Sequence, residues 1–202
     1  MYANNKKNGY KQTGVTLVEL VVFIVIVSVA LVGVLKVLDI TNRGSADPLV
    51  RKQALSIAES LILEIEQQPF TFCDPDDTDV SIATSAADCT NSQDKGGAAL
   101  TSPTPNSESR YSSTDPFDNV ADYGGFSMPG GSCAGICSAG DNTPLSGLVG
   151  YEATVTITRA GATAPYVGFA LDAVLKISVR VTGPANTEVT LTGYRARYAP
   201  NI

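Results

Sequence analysis

Gly14-Val15-Thr16-Leu17-Val18-Glu19-Leu20 opens an apolar run that continues to Leu35, and it holds one carboxylate five residues past a glycine. About 20 apolar helical residues span the roughly 30 Å of hydrocarbon in a bilayer. Residues 15–40 therefore read as one hydrophobic transmembrane or assembly helix. A carboxylate inside such a helix costs about 2.5–3.5 kcal/mol even on lenient insertion scales, so Glu19 needs a partner. Cutting the chain after Gly14 creates one, because the new α-amino group of Val15 stands about one helical turn from Glu19. Before Gly14 the chain has Lys6, Lys7 and Lys11 and no acid, which assigns residues 1–14 to the cytoplasm as a leader and residues 41–202 to a head on the far side. Two plainer readings compete. A secretory signal would use Val15 to Val27 as its apolar region and Ser28-Val29-Ala30 as its cut site. A simple membrane anchor would use Val15 to Leu35. Neither gives Glu19 a role.

The arrangement of Gly14, Thr16, Leu17, Glu19 and the apolar stretch to Leu35 resembles the class III signal of type IV prepilins and pseudopilins. Val15 stands where that family usually has phenylalanine. The resemblance implies that prepilin peptidase cuts between Gly14 and Val15 and that Val15 is N-methylated. It also implies that Glu19 is the assembly carboxylate, meeting the terminus of a neighbouring subunit. The partners it implies are other pilins and minor pilins, together with the inner-membrane pilus assembly machinery. The protein would wait in the inner membrane as a single-pass protein with a periplasmic head before moving to a fibre at the cell surface.

Composition narrows the chemistry. The 202 residues carry a net charge of −6 at pH 7, and losing the leader lysines makes the remainder more acidic still. Nonspecific nucleic-acid binding rests on neutralising phosphates, so no nucleic-acid partner is expected. There is no histidine, which removes Ser-His-Asp and Cys-His nucleophiles and histidine metal sites together. Gly130-Gly131-Ser132-Cys133-Ala134 comes near a nucleophile elbow but ends in alanine. No catalytic, cofactor or metal residue is singled out, and a non-enzymatic protein is expected.

Cys73, Cys89, Cys133 and Cys137 all follow the apolar helix. An even number in an exported, loop-rich head reads as disulfides, and four cysteines allow three pairings. Joining Cys73 to Cys89 and Cys133 to Cys137 closes local loops. One of about 15 residues contributes about 3 kcal/mol in the chain-entropy model.

Along the head, Thr41-Asn42-Arg43-Gly44-Ser45 is expected to interrupt the helix, with Asp47 as an N-cap and Pro48 at the first position of a second one. Val50, Ala54, Leu55, Ala58, Leu61, Ile62 and Ile65 then form an apolar face opposite Arg51, Lys52, Glu59 and Glu66, until Pro69 ends it. Tyr151–Thr158 and Val174–Val181 alternate as half-buried strands, and Gly183-Pro184-Ala185-Asn186 turns the chain into a further strand over Val189–Thr192. Between helix and sheet, Thr78 to Leu148 is rich in Ser, Thr, Gly, Asp and Pro and reads as a long loop. The fold class is α+β, and the resemblance implies the type IV pilin fold, a long N-terminal helix on an antiparallel sheet.

A finer resemblance rests on Ala46-Asp47-Pro48, Gln53 to Leu61, Pro69 to Asp77, Phe117 to Tyr123 and Gly193 to Tyr198. These blocks are similar to the MshD family of minor pilins from mannose-sensitive haemagglutinin (MSHA) pili. That similarity implies a low-abundance subunit that helps to initiate or cap a fibre. A minor pseudopilin of type II secretion and a membrane-anchored adhesive module remain open beside it. Asp74, Asp76, Asp77 and Asp79 lack the glycine of an EF-hand loop and read as a solvated acidic turn. Asp115, Asp118 and Asp122 read as turn and cap residues. Tyr123, Phe126, Tyr194 and Tyr198 read as core or sheet-edge cover.

Overall fold

A computed structural model describes residues 14–198 except Ser132, with the backbone alone for 40–47 and Gly96. The leader lysines fall outside the described residues. The chain divides into two compact units, Met1–Ala46 and Asp47–Ile202.

Helix α1 runs over Leu17–Gln67 with Pro48 inside it. The interruption expected at residues 41–45 does not occur. An internal proline removes one backbone hydrogen bond and costs about 3 kcal/mol, yet stopping the helix also means nucleating a second one. With good helix formers following Pro48, from Leu49 through Arg51, Lys52, Gln53, Ala54 and Leu55, continuation wins. In the first unit, Leu17–Asp39 is apolar and long enough to cross a membrane, and none of it is buried in the protein. Ser28 returns its hydroxyl to the Ile24 carbonyl at 2.7 Å, which satisfies the polar group within the apolar run.

The second unit contains a four-stranded antiparallel sheet in the order β1-β2-β3-β4. The strands are β1 (Ser127–Met128), β2 (Glu152–Arg159), β3 (Val174–Gly183) and β4 (Thr187–Ala196). Pairings Ala153 with Val181, Val155 with Val179 and Ile157 with Ile177 put the buried residues of β2 and β3 on one face. The last turns of α1 cover that face, with Ala54, Ile57, Ala58, Leu61, Ile62 and Ile65 in the same core as the strands. Leu55 lies off this face and is 36% exposed. Gly193 permits close approach of helix to sheet, since a β-carbon there would collide with Glu66 and crowd Ile62. The hairpin turn is a short 3-10 turn at Pro184–Asn186, with β4 longer at both ends than the alternation indicated.

The stretch from Thr78 to Leu148 is not a bare loop. It contributes Leu100, Phe117, Val120, Ala121, Tyr123, Met128 and Ile136 to the core. It also contains 3-10 turns at Ala86–Asp88, Lys95–Gly97 and Val120–Tyr123. Few apolar residues suffice because they are large and converge. The Phe117 ring meets Tyr123 at 4.9 Å and Phe126 at 5.8 Å, both edge to face. Tyr194 and Tyr198 are outside the core, 43% and 77% exposed. Tyr194 instead leans on Tyr166 at 5.1 Å.

Candidate functional site

Two places carry chemistry that the core does not explain. The first is the start of α1. Gly14 is exposed with open space around it, and Val15 is 69% exposed. Thr16 stands just before the helix and accepts a hydrogen bond from the Glu19 backbone N–H at 3.3 Å. This is the threonine half of a T-x-x-E capping box, a local role for the spacing that the reading of Glu19 as an assembly carboxylate left out. An acid in the first turn also favours the positive end of the helix dipole by about 0.3–1 kcal/mol. The Glu19 carboxylate itself is exposed on a helix surface of unburied Leu, Val, Ile and Phe side chains. Its capping contribution is too small to account for a charge placed in an apolar span.

The second place is a buried acidic pocket in the head. Oxygens of Asp74, Glu108 and Asp118 lie within 4.8 Å of one another. Neither acidic cluster seen in the sequence forms this group alone. Asp74 comes from the first, Asp118 from the second, and Glu108 from neither. Asp74 is positioned by an antiparallel bridge between Cys73 and Ser92, with its N–H donating to the Asn91 carbonyl at 2.8 Å. Asp74 accepts from the Asp76 N–H at 2.8 Å and from the Gln93 side-chain amide at 3.0 Å. Asp122 is the cap that the sequence indicated, accepting from the Asn119 N–H at 2.8 Å, and it also accepts from the Thr104 N–H at 3.2 Å. Asp77 is outside the group and accepts from the Asn91 N–H at 2.7 Å and its side-chain amide at 3.0 Å. Lys95 is nearby, and Arg159 anchors the neighbouring Asp94 at 2.8 Å.

Burial and mutual repulsion push these carboxyl groups up. Desolvation is the main cause for each, and Asp118 rises to about 7. Glu108 and Asp122 face each other and both move upward, as does Asp74 beside Asp76 and Asp77. A carboxyl group raised on folding costs stability once the pH passes its unfolded value near 4, because the unfolded chain ionises more readily. At neutral pH the pocket therefore works against folding unless positive charge enters it. Its residues come from four separated segments, so no spacing announces it. The one signal was the pair Cys73 and Cys89, whose closure brings Asp74 toward residues 91–93.

The cysteines form two disulfides, Cys73–Cys89 and Cys133–Cys137. Replacing Cys73 and Cys89 together by serine is expected to cost about 3 kcal/mol, for a loop with a sequence separation of 16. A thermal melt of the variant against the parent protein reads that loss.

Residues 9–35 match the family described as the prokaryotic N-terminal methylation motif. No curated protein and no solved structure matches the chain. The motif supports a type IV pilin-like or pseudopilin-like protein, a class of structural subunits. It implies processing by prepilin peptidase and assembly with other pilins, and the apolar helix suggests a single-pass membrane anchor.

Proposed function

We propose that this chain is a minor pilin of an MSHA-type pilus, cut between Gly14 and Val15, methylated on Val15, and used to begin or cap the fibre. The observation that carries the reading is the combination of the N-terminal methylation motif with Glu19 on an otherwise apolar, unburied helix. The resemblance blocks around Asp47, Pro69 to Asp77, Phe117 to Tyr123 and Gly193 to Tyr198 support the MSHA branch. In the membrane and in a helical bundle the apolar side chains stay out of water, so extraction is nearly neutral in hydrophobic terms. What changes is the setting of Glu19, which gains the Val15 ammonium of a neighbour. Opposite charges attract about four-fold more strongly at an effective dielectric near 20 than in water. Desolvation offsets much of that gain, so the pair sets alignment more than it adds strength.

Glu19→Ala is therefore expected to be cut and held in the membrane but to fall at least about ten-fold in the sheared fibre fraction, the effect of roughly 1.4 kcal/mol. Immunoblots of membrane and fibre fractions measure this. Normal recovery in fibres overturns the role given to Glu19. Recovery only when a type II secretion pseudopilus is assembled moves the protein to that system.

A further inference from the structure

We infer that Asp74, Glu108 and Asp118, with the side-chain oxygen of Gln93, form a calcium-binding site that ties together the loops of the head. The inference is independent of the fibre reading and rests on geometry.

The carboxylate oxygens of the three acids approach within 4.8 Å of one another. Glu108 is 6% exposed and in hydrogen-bonding reach of the Asp74 and Asp122 carboxyls, and no donor outside this acidic group reaches its Oε2. Gln93 is 1% exposed, and while its amide nitrogen donates to Asp74 and to the Thr104 carbonyl, its Oε1 is also unpartnered. Asp118 adds a third buried oxygen, Oδ1, without a donor. Leaving a buried acceptor unsatisfied costs about 1–3 kcal/mol, and more when it is charged. Glu108 and Asp118 share one group with Asp74, and Gln93 is tied to Asp74, so a cation in that group would meet acceptors for which the head supplies no donor.

Donor chemistry selects the ion. Every donor is a carboxylate or amide oxygen, the chain has no histidine, and all four cysteines are in disulfides. That set suits a hard cation rather than zinc or copper. Calcium–oxygen bonds of about 2.3–2.6 Å let oxygens on opposite sides of one ion stand about 5 Å apart, whereas magnesium at about 2.1 Å needs them within about 4.2 Å. Oxygens within 4.8 Å of one another are within the span of a single calcium ion. Calcium also tolerates irregular donor placement from several loops, which magnesium's octahedron does not.

Lys95 is the competing cation. Its Nζ is buried without a hydrogen-bond partner and acts on Asp122 and Glu108 through space. One ammonium cannot satisfy the carboxyls of Asp74, Glu108, Asp118 and Asp122 together, and burial holds them back from ionising. A divalent ion meets several of them at once.

The test uses the full-length protein in detergent micelles, stripped with EGTA. Isothermal titration with calcium chloride is expected to show one ion per chain, and about 5 mM calcium is expected to raise the melting temperature by about 5 °C or more. Magnesium at the same concentration is expected to move it by less than half as much. Glu108→Gln and Asp118→Asn should each weaken calcium binding by at least about ten-fold, and Lys95→Met should tighten it. No heat and no shift on calcium addition overturns the site. So does an equal response to magnesium, or an undiminished calcium response in Asp118→Asn, which is only partly buried and serves if Glu108→Gln does not fold.

Discussion

Gly14→Arg is expected to leave the whole population as uncut precursor, visible as a single longer species on an immunoblot and as an intact mass that retains the leader. Gly14 lies outside α1, is exposed, and would place a β-carbon in open space. The substitution therefore costs the folded protein nothing through packing. Any loss of processing reports recognition by the peptidase, which must draw the backbone at the cut into close contact. Only glycine presents a backbone with no side chain in the way. Arginine adds both bulk and charge at the boundary between the proposed leader and the apolar helix. Because the peptide bond is either cut or not, the effect is expected to be nearly complete. Fibre recovery should vanish with it, since the Val15 ammonium that Glu19 needs never forms. Mature protein beginning at Val15 in this variant would overturn the assigned cleavage site, and mature protein beginning near Ala30 would favour an ordinary secretory signal.

What the sequence made legible follows from where the information sits. The apolar span, the helix face through Ala54, Ala58, Leu61 and Ile65, and the strands around Val179 are all local periodicities, and each reappears in the fold. Gly44 and Pro48 misled because propensity counts only the residue's own cost, not the cost of starting a helix again. The acidic pocket was illegible for a different reason. Asp74, Gln93, Glu108 and Asp118 are separated by 44 residues of chain, from 74 to 118, and no helical or strand period links them. They meet through a disulfide, a bridge at Cys73 and Ser92, and the Asn119–Asp122 capping box. Each device has a local signature, but their common destination is a property of the packed head. The same holds for Phe117, whose stretch reads as polar until its ring meets that of Tyr123, a residue already read as core or sheet-edge cover.

Arg110→Met is expected to cost about 3–5 kcal/mol, because it leaves one half of a largely buried ion pair without the other. Arg110 is 8% exposed and grips Glu64 of α1 with two parallel hydrogen bonds of 2.7 Å. Its third arm donates to the Cys137 carbonyl at 2.9 Å, and the guanidinium stands 5.7 Å from the centre of the Phe126 ring. Tyr123 donates its hydroxyl to the same Glu64 at 2.9 Å. One guanidinium thus joins the helix, the aromatic cluster and the Cys133–Cys137 loop. Removing it strands the Glu64 carboxylate with a single donor and leaves a buried carbonyl unpaired. For a head of this size the loss corresponds to a fall of about 10 °C in melting temperature. The near-ultraviolet signal of the tyrosines is the measurement to follow, since the apolar half of α1 keeps its helicity in detergent after the head unfolds. The double variant Glu64→Leu with Arg110→Met should recover part of the loss, because it removes both charges instead of abandoning one. A fall of less than about 1 kcal/mol in Arg110→Met, the range of an exposed pair, would mean that water reaches Glu64 and that the aromatic cluster, not the ion pair, holds this stretch to the helix.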